Sequence, residues 1–172
     1  MVMQVLASDL RDEGNELNEF LGSLSNADWT CATPFKSWTP EDILTHLTVG
    51  DWLNILSMSD PERFDAVMAK RLEARAEGRK SSGAEYLDES LGGGARLLEQ
   101  WHARLNQLCD LFYEADAKVR MKWVGPNMSI RSAATARLME TWAHGQDVYD
   151  MVQADRIATD RIRHIAVLGV NT

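Results

Sequence analysis

Several things are scarce in this chain of 172 residues, and each scarcity narrows what it can be. Cysteine occurs only at Cys31 and Cys109, far apart and without a CxxC partner, so two isolated buried or partly buried thiols are expected rather than a disulfide or a ligand pair. Positive charge is short: the formal net charge is -8, and the only basic run is the mixed "KRLEARAEGRK", which reads as a solvated helix face. A partner bound by neutralising phosphates is therefore disfavoured, and no nucleic-acid binding is expected. No window approaches the ~18 consecutive apolar residues of a membrane span. The opening "MVMQVLASDLRDEGNELNEF" has early acids and no basic region before an apolar core, so it does not read as a signal peptide, and a cytoplasmic protein is expected. Phosphate-cradling and dinucleotide loops are missing too, since "GGG" at Gly92 to Gly94 lacks a following lysine and no GxGxxG occurs. No serine, histidine and acid triad stands out, and no period-two strand or repeat of 20 to 50 residues appears.

What is present is helical periodicity in a chain sized for one domain. Hydrophobic residues make up 45% and charged residues 26%, and six tryptophans argue for a folded core. Met3, Leu6, Leu10, Leu17, Phe20, Leu21 and Leu24 recur at helical spacing and predict a first helix over residues 2–25. Thr39 as N-cap, Pro40 at the first position, and Glu41 and Asp42 in the first turn start a second helix over 39–57, with Ile43, Leu47 and Leu53 or Leu56 inward. Gly50 weakens that helix by about 1 kcal/mol relative to alanine. Asp60 or Ser59 caps a charged, peripheral helix running to about Gly78, "GRKSSG" is a loop, and a further helix beginning at "AEYLDES" is interrupted by the triple glycine. Leu98, Trp101, Leu105, Leu108 and Phe112 mark a helix over 95–115, and Ser129 caps a last one over 129–152. The expected fold is all-α, an up-and-down type bundle of four core helices with short additional ones.

The last core helix contains "METWAHGQDV", which puts Glu140 and His144 one turn apart on one face with Ala133, Ala136 and Val148. A carboxylate and an imidazole on an inward face need compensation, and a metal ion can hold both. His46, midway along the second helix in "DILTHL", is the third candidate ligand. Two histidines and one carboxylate leave coordination positions open, the pattern of a reactive site, whereas a fourth protein ligand would mark a structural one. Taken alone, such a pair is more often a surface pair. His102 and His164 are assigned to structure or surface. Asp147 and Asp42 are candidates to orient the metal-binding imidazoles. Arg137 could bind a substrate carboxylate or pair with Glu140, and Trp38, Trp123 and Trp142 could wall a pocket or simply pack.

The segments "SWTPEDILTHL" and "ARLMETWAHGQDVYD" resemble the DinB-like superfamily, in particular the branch containing the N-terminal domain of mycothiol-dependent maleylpyruvate isomerases and related actinobacterial metal-binding proteins. The matching positions are Trp38, His46, Glu140 and His144, and "KWVGPNMSIRSAATARLMETWAHGQDV" is similar over a long stretch. The resemblance implies a four-helix bundle binding a divalent ion, most often zinc, through His46, Glu140 and His144, with a pocket opening onto it. It also implies a small polar or carboxylated substrate and a low-molecular-weight thiol such as mycothiol, in an isomerase or transferase reaction. A non-catalytic metal or small-molecule binding bundle is the alternative, and a homodimer is one assembly open to it. Longer relatives carry a further C-terminal portion, and because the sequence stops at "HIAVLGVNT" a single domain over 1–172 is expected, as a fragment or a minimal version.

Overall fold

The computed structural model describes residues 2–170, so Met1, Asn171 and Thr172 of the expected domain lie outside the described residues. Among the described residues six α-helices carry the fold: α1 (Val2–Gly22), α2 (Pro40–Ser59), α3 (Pro61–Ala76), α4 (Gly94–Glu114), α5 (Ile130–Met151) and α6 (Arg163–Val170). None of them is long and apolar enough to cross a membrane. Two strands of two residues each, β1 (Arg120–Met121) and β2 (Met128–Ser129), form an antiparallel hairpin around "KWVGPN", pairing Arg120 with Ser129 and Met121 with Met128. Strands this short carry no readable alternation, which is why the sequence gives no sign of them. Residues Ala84–Tyr86 form only a 3-10 turn, so the helix expected from "AEYLDES" does not form.

The helix starts follow the capping chemistry in the sequence. Thr39 accepts a hydrogen bond from the Asp42 backbone N–H, and the Asp42 carboxylate accepts from the Thr39 backbone N–H and hydroxyl in return. Asp60 caps α3 through the Arg63 N–H, and Ser129 caps α5 through that of Ser132. The core is built from Leu6, Leu10, Leu17 and Leu21 of α1, Ile43, Leu44 and Leu47 of α2, Leu97, Trp101, Leu105 and Phe112 of α4, and Ala133, Leu138 and Val148 of α5. A second, smaller cluster joins Val49, Trp52, Leu53 and Leu56 on the far side of α2 to Phe64 and Val67 of α3. Helix α2 is thus apolar on nearly every face because it is covered on both sides.

The core helices pack in the ring α1, α4, α2, α5. Arg11 meets Asp110, and Asn15 meets His102, so α1 and α4 are antiparallel. Asp51 meets Arg137 and Ser57 meets the Lys122 carbonyl just before α5, so α2 and α5 are antiparallel as well. Phe20 stacks on Tyr149 while Leu17 lies against Gly145, which makes α1 and α5 parallel. The two remaining partners, α2 and α4, therefore run parallel, their N-termini joined by a hydrogen bond from the Gly94 N–H to Glu41. This corrects the simple up-and-down expectation: α3 and the connection after it form a crossover that returns the chain before α4. The segment after α5 is fastened to α1 by Arg156 and Arg161, which converge on the buried Glu13, and by His164, 2.8 Å from Asp9. His102 and His164 are thus both engaged in helix packing. Cys109 is buried, which pushes its thiol up to about 12, whereas Cys31 is exposed, contrary to the expectation of two sheltered thiols.

Candidate metal centre

Because α2 and α5 are antiparallel neighbours, the middle of one meets the middle of the other, and His46 comes to face Glu140 and His144. His46 Nε2 lies 3.0 Å from Glu140 Oε2, and His144 Nε2 lies 3.3 Å from the same oxygen. One ligand atom from each of the three residues falls within 4.8 Å of the others. Atoms bound to a tetrahedral ion at ~2 Å lie ~3.3 Å apart, so the donor set has the chemistry and roughly the span of a zinc-class site.

The electrostatics favour a cation. Hydrogen bonds from His144 and then His46 hold the Glu140 carboxyl far below the usual carboxylate range, against the desolvation of its half-buried position and with help from Arg137. Asp147 Oδ2 lies 3.3 Å from His144 Nδ1, positioned to accept an Nδ1–H and to orient the ring with Nε2 facing Glu140. Exposure is uneven: 39% for the His46 side chain and 32% for Glu140, but only 8% for His144. One side of the centre is open to incoming molecules, and no fourth His, Cys, Asp or Glu joins the cluster among the described residues.

An aromatic wall borders the centre. The Trp38 ring stacks on His144 with centroids 5.7 Å apart and lies 5.3 Å from His46. Phe35, which sequence reasoning passed over, meets His144 edge-on at 5.0 Å and Trp38 at 5.1 Å. Between them Lys36 and Ser37 take positive φ of 51° and 58°, an unfavourable conformation for side chains of this kind. Lys36 Nζ lies 4.8 Å from the centre of the Phe35 ring. The signal for Phe35 was its place in "TPFKSW", three residues before a tryptophan already under consideration.

Three other candidates lie elsewhere. Arg137 is buried, its Nε donating to Asp51 Oδ1 at 2.8 Å and an Nη donating to the Leu47 carbonyl at 3.2 Å. It faces α2 and makes no hydrogen bond to Glu140, whose charge it favours only at longer range. Burial pushes the Asp51 carboxyl above its ordinary range, while Arg137 opposes that shift. Asp42 is occupied by the capping box, so its helical position one turn before His46 does not make it a partner of that imidazole. Trp142 lies beside Arg156, whose guanidinium is 5.7 Å from the ring and donates to the Trp142 carbonyl, so it packs against the segment after α5.

Fold and centre together define an α-helical bundle with an open two-histidine, one-carboxylate site. The sequence profile described as the mycothiol maleylpyruvate isomerase N-terminal domain matches residues 10–149, and the chain belongs to that family. It is 34% identical over 165 residues to an uncharacterized protein of Mycobacterium tuberculosis, found in strains CDC 1551 / Oshkosh and H37Rv. The alignment takes in 96% of this chain and 63% of the relative, so the chain spans less than two thirds of the curated relatives it matches. No solved structure matches it.

Proposed function

We propose that His46, Glu140 and His144 bind one divalent ion, zinc being the best fit, and that the protein is a metal-dependent enzyme of the isomerase or thiol-transferase type. Its substrate is a small polar or carboxylated molecule and its co-substrate a low-molecular-weight thiol such as mycothiol, in the cytoplasm and without a nucleic-acid partner. The observation that carries this reading is the convergence of two imidazole nitrogens and one carboxylate oxygen on a half-exposed spot. A zinc-class ion supplies Lewis acidity and makes a thiol or water acidic enough to ionise near neutral pH. Glu140 contributes a permanent negative charge, Asp147 fixes the His144 tautomer, and Trp38 with Phe35 shields one side from water. With Arg137 turned toward Asp51, the cation nearest the aromatic wall is Lys36, and we assign it the attraction of a substrate carboxylate.

Metal analysis of the purified protein tests the first step, with one ion per chain expected, retained in His102→Ala and lost in His144→Ala. Cobalt substitution tests the second, because an open site should change its visible spectrum on adding thiol. A metal-free protein, or a cobalt spectrum indifferent to thiols and carboxylates, would overturn the enzyme reading. The second of these outcomes favours a metal-binding bundle without chemistry, a reading supported by the removal of Arg137 from the site.

A further inference from the structure

Away from the metal centre, α3, the loop after it and the β1–β2 turn enclose a cleft of about 490 Å³ lined by Met68, Arg71, Leu72, Arg75, Arg79, Ser81 and Val124. None of the three metal-site residues lines it. Its chemistry is mixed: three guanidinium groups share the lining with three apolar side chains, Met68 and Leu72 alternating with Arg71 and Arg75 along one face of α3, and Leu72 is 70% and Val124 52% exposed. In a chain of net charge -8, three arginines lining one cleft run against the average field, even with Glu73 and Glu77 interspersed along the sequence.

Cations near a helix C-terminus are favourable in themselves, and that accounts for the presence of Arg75 at the end of α3. It does not account for the state of Arg71. The Arg71 Nη1 is buried and makes no hydrogen bond, and it rests so close to Gly83 that a Cβ there would lie 2.0 Å away. Gly83, at φ +91°, both makes the turn and leaves room for the guanidinium. The loop carboxylate Glu85 accepts from the Ser81 hydroxyl and the Gly83 N–H, and Arg71 favours its charge without a hydrogen bond to it. Among the described residues Arg71 and Arg75 form no ion pair, and Arg79 pairs only with Glu77 on the surface, an exposed contact that a better anion can displace.

We propose that this cleft binds an amphiphilic anion, a phosphate monoester or carboxylate with a short apolar body. Arg71, Arg75 and Arg79 hold the charged head, and Met68, Leu72 and Val124 hold the body. Guanidinium groups suit such heads because their planar forks donate two parallel hydrogen bonds. The volume falls within the ~300–1,000 Å³ typical of small-molecule pockets. The proposal is independent of the metal reading.

Titration calorimetry on the full chain tests it with octyl phosphate, inorganic phosphate and octanol. Saturable one-to-one binding of octyl phosphate is expected, with inorganic phosphate and octanol each at least ~10-fold weaker, because each satisfies only half of the cleft. Arg71→Gln and Arg75→Gln should each weaken octyl phosphate by ~10-fold or more. Arg75 is exposed, so its substitution leaves the fold intact, as circular dichroism checks. His144→Ala should leave the affinity unchanged, which separates this site from phosphate captured at the metal centre. Vesicles of phosphatidylcholine with phosphatidic acid distinguish a soluble ligand from a lipid headgroup. Binding to vesicles without binding of octyl phosphate would overturn the proposal. So would octyl phosphate affinity that survives both arginine substitutions, or that vanishes in His144→Ala.

Discussion

Helices α2 and α5 are joined by two polar cross-links, and their contrast separates structure from function. Asp51 with Arg137 is dry, the two side chains being 0% and 3% exposed. His46 with Glu140 is 39% and 32% exposed, although His46 is only five residues from Asp51 and Glu140 only three from Arg137. In the closed link the guanidinium donates to one carboxylate oxygen and to a backbone carbonyl, both side chains lie out of solvent, and the second Asp51 oxygen is buried without a hydrogen bond. In the open one, two imidazoles share a single oxygen and one side faces solvent. A buried charge pair stabilises chiefly by being complete, whereas a half-open constellation of donors gains its energy from what it binds.

Breaking the closed link should have the largest effect. Asp51→Asn leaves Arg137 charged and uncompensated, and a loss of about 3–5 kcal/mol is expected in denaturant unfolding. Metal per folded molecule should not change. A loss below ~1 kcal/mol would mean that the pair is neutralised or hydrated in solution. The reciprocal change, Arg137→Met, should depend on pH. The folded Asp51 carboxyl already lies above its ordinary range and loses its opposing cation in this variant. The folded state then holds a proton that the unfolded state has released, so stability falls as pH rises from the unfolded value of ~3.9 through the folded one. Arg137→Met should therefore be more stable relative to the parent at pH ~5 than at pH ~8, and a flat difference would contradict the buried, raised carboxyl.

Breaking the open link should cost less and depend entirely on the ion. His144→Ala forfeits the metal-linked increment, about 2.7 kcal/mol when free metal stands at 100 times Kd. In chelator the two proteins should unfold at nearly the same denaturant concentration. If His144→Ala were as damaging with chelator as with metal, the open link would be structural after all.

Sequence and structure agree where the signal is local. The periodicity of Leu98, Trp101, Leu105, Leu108 and Phe112 identified α4, and Thr39–Pro40 and Ser129 fixed the starts of α2 and α5, because capping and amphipathicity are written within a few residues. Glu140 and His144 could be read as neighbours for the same reason, and His46 was the third candidate from its place in the second helix, a choice the family resemblance then strengthened. Partnerships across long separations could not be read. Arg137 and Asp51 lie 86 residues apart and Arg156 and Glu13 lie 143 apart, so nothing near either arginine tells which carboxylate will claim it. Asp42 was read in two ways, as a first-turn acid at the helix N-terminus and as a neighbour of His46 on the helix, and the carboxylate is taken up by the N-terminus, in a capping box with Thr39. The parallel run of α2 and α4 also escaped, because the direction of packed helices depends on the crossover and not on either helix.

A finer test of the open link concerns orientation. Asp147→Asn keeps the size of the side chain but removes the charge facing His144 Nδ1. Metal affinity should drop by about 10–100-fold, the usual effect of losing an outer partner of a metal-binding imidazole. Competition against a chelating dye would measure it. Unchanged affinity would mean that Asp147 is only a neighbour on the helix.

The smallest expected effect belongs to the closed link and explains a residue that looked like a weakness. Gly50 sits one residue before Asp51 in the middle of α2, where alanine would favour the helix by about 1 kcal/mol. A Cβ at this position would lie 2.5 Å from Arg137 Nη1 and 2.9 Å from Cζ, so the guanidinium lies across the bare backbone of α2. Gly50→Ala should therefore destabilise by about 1–3 kcal/mol through overpacking, partly offset by that gain in propensity, for a net loss near 1 kcal/mol. The guanidinium is held on both sides and cannot swing away without abandoning Asp51. Metal content should be unaffected, because the displacement is absorbed by the closed link. A stabilised Gly50→Ala would show that Arg137 can move, and would reopen the question of whether it ever turns toward Glu140.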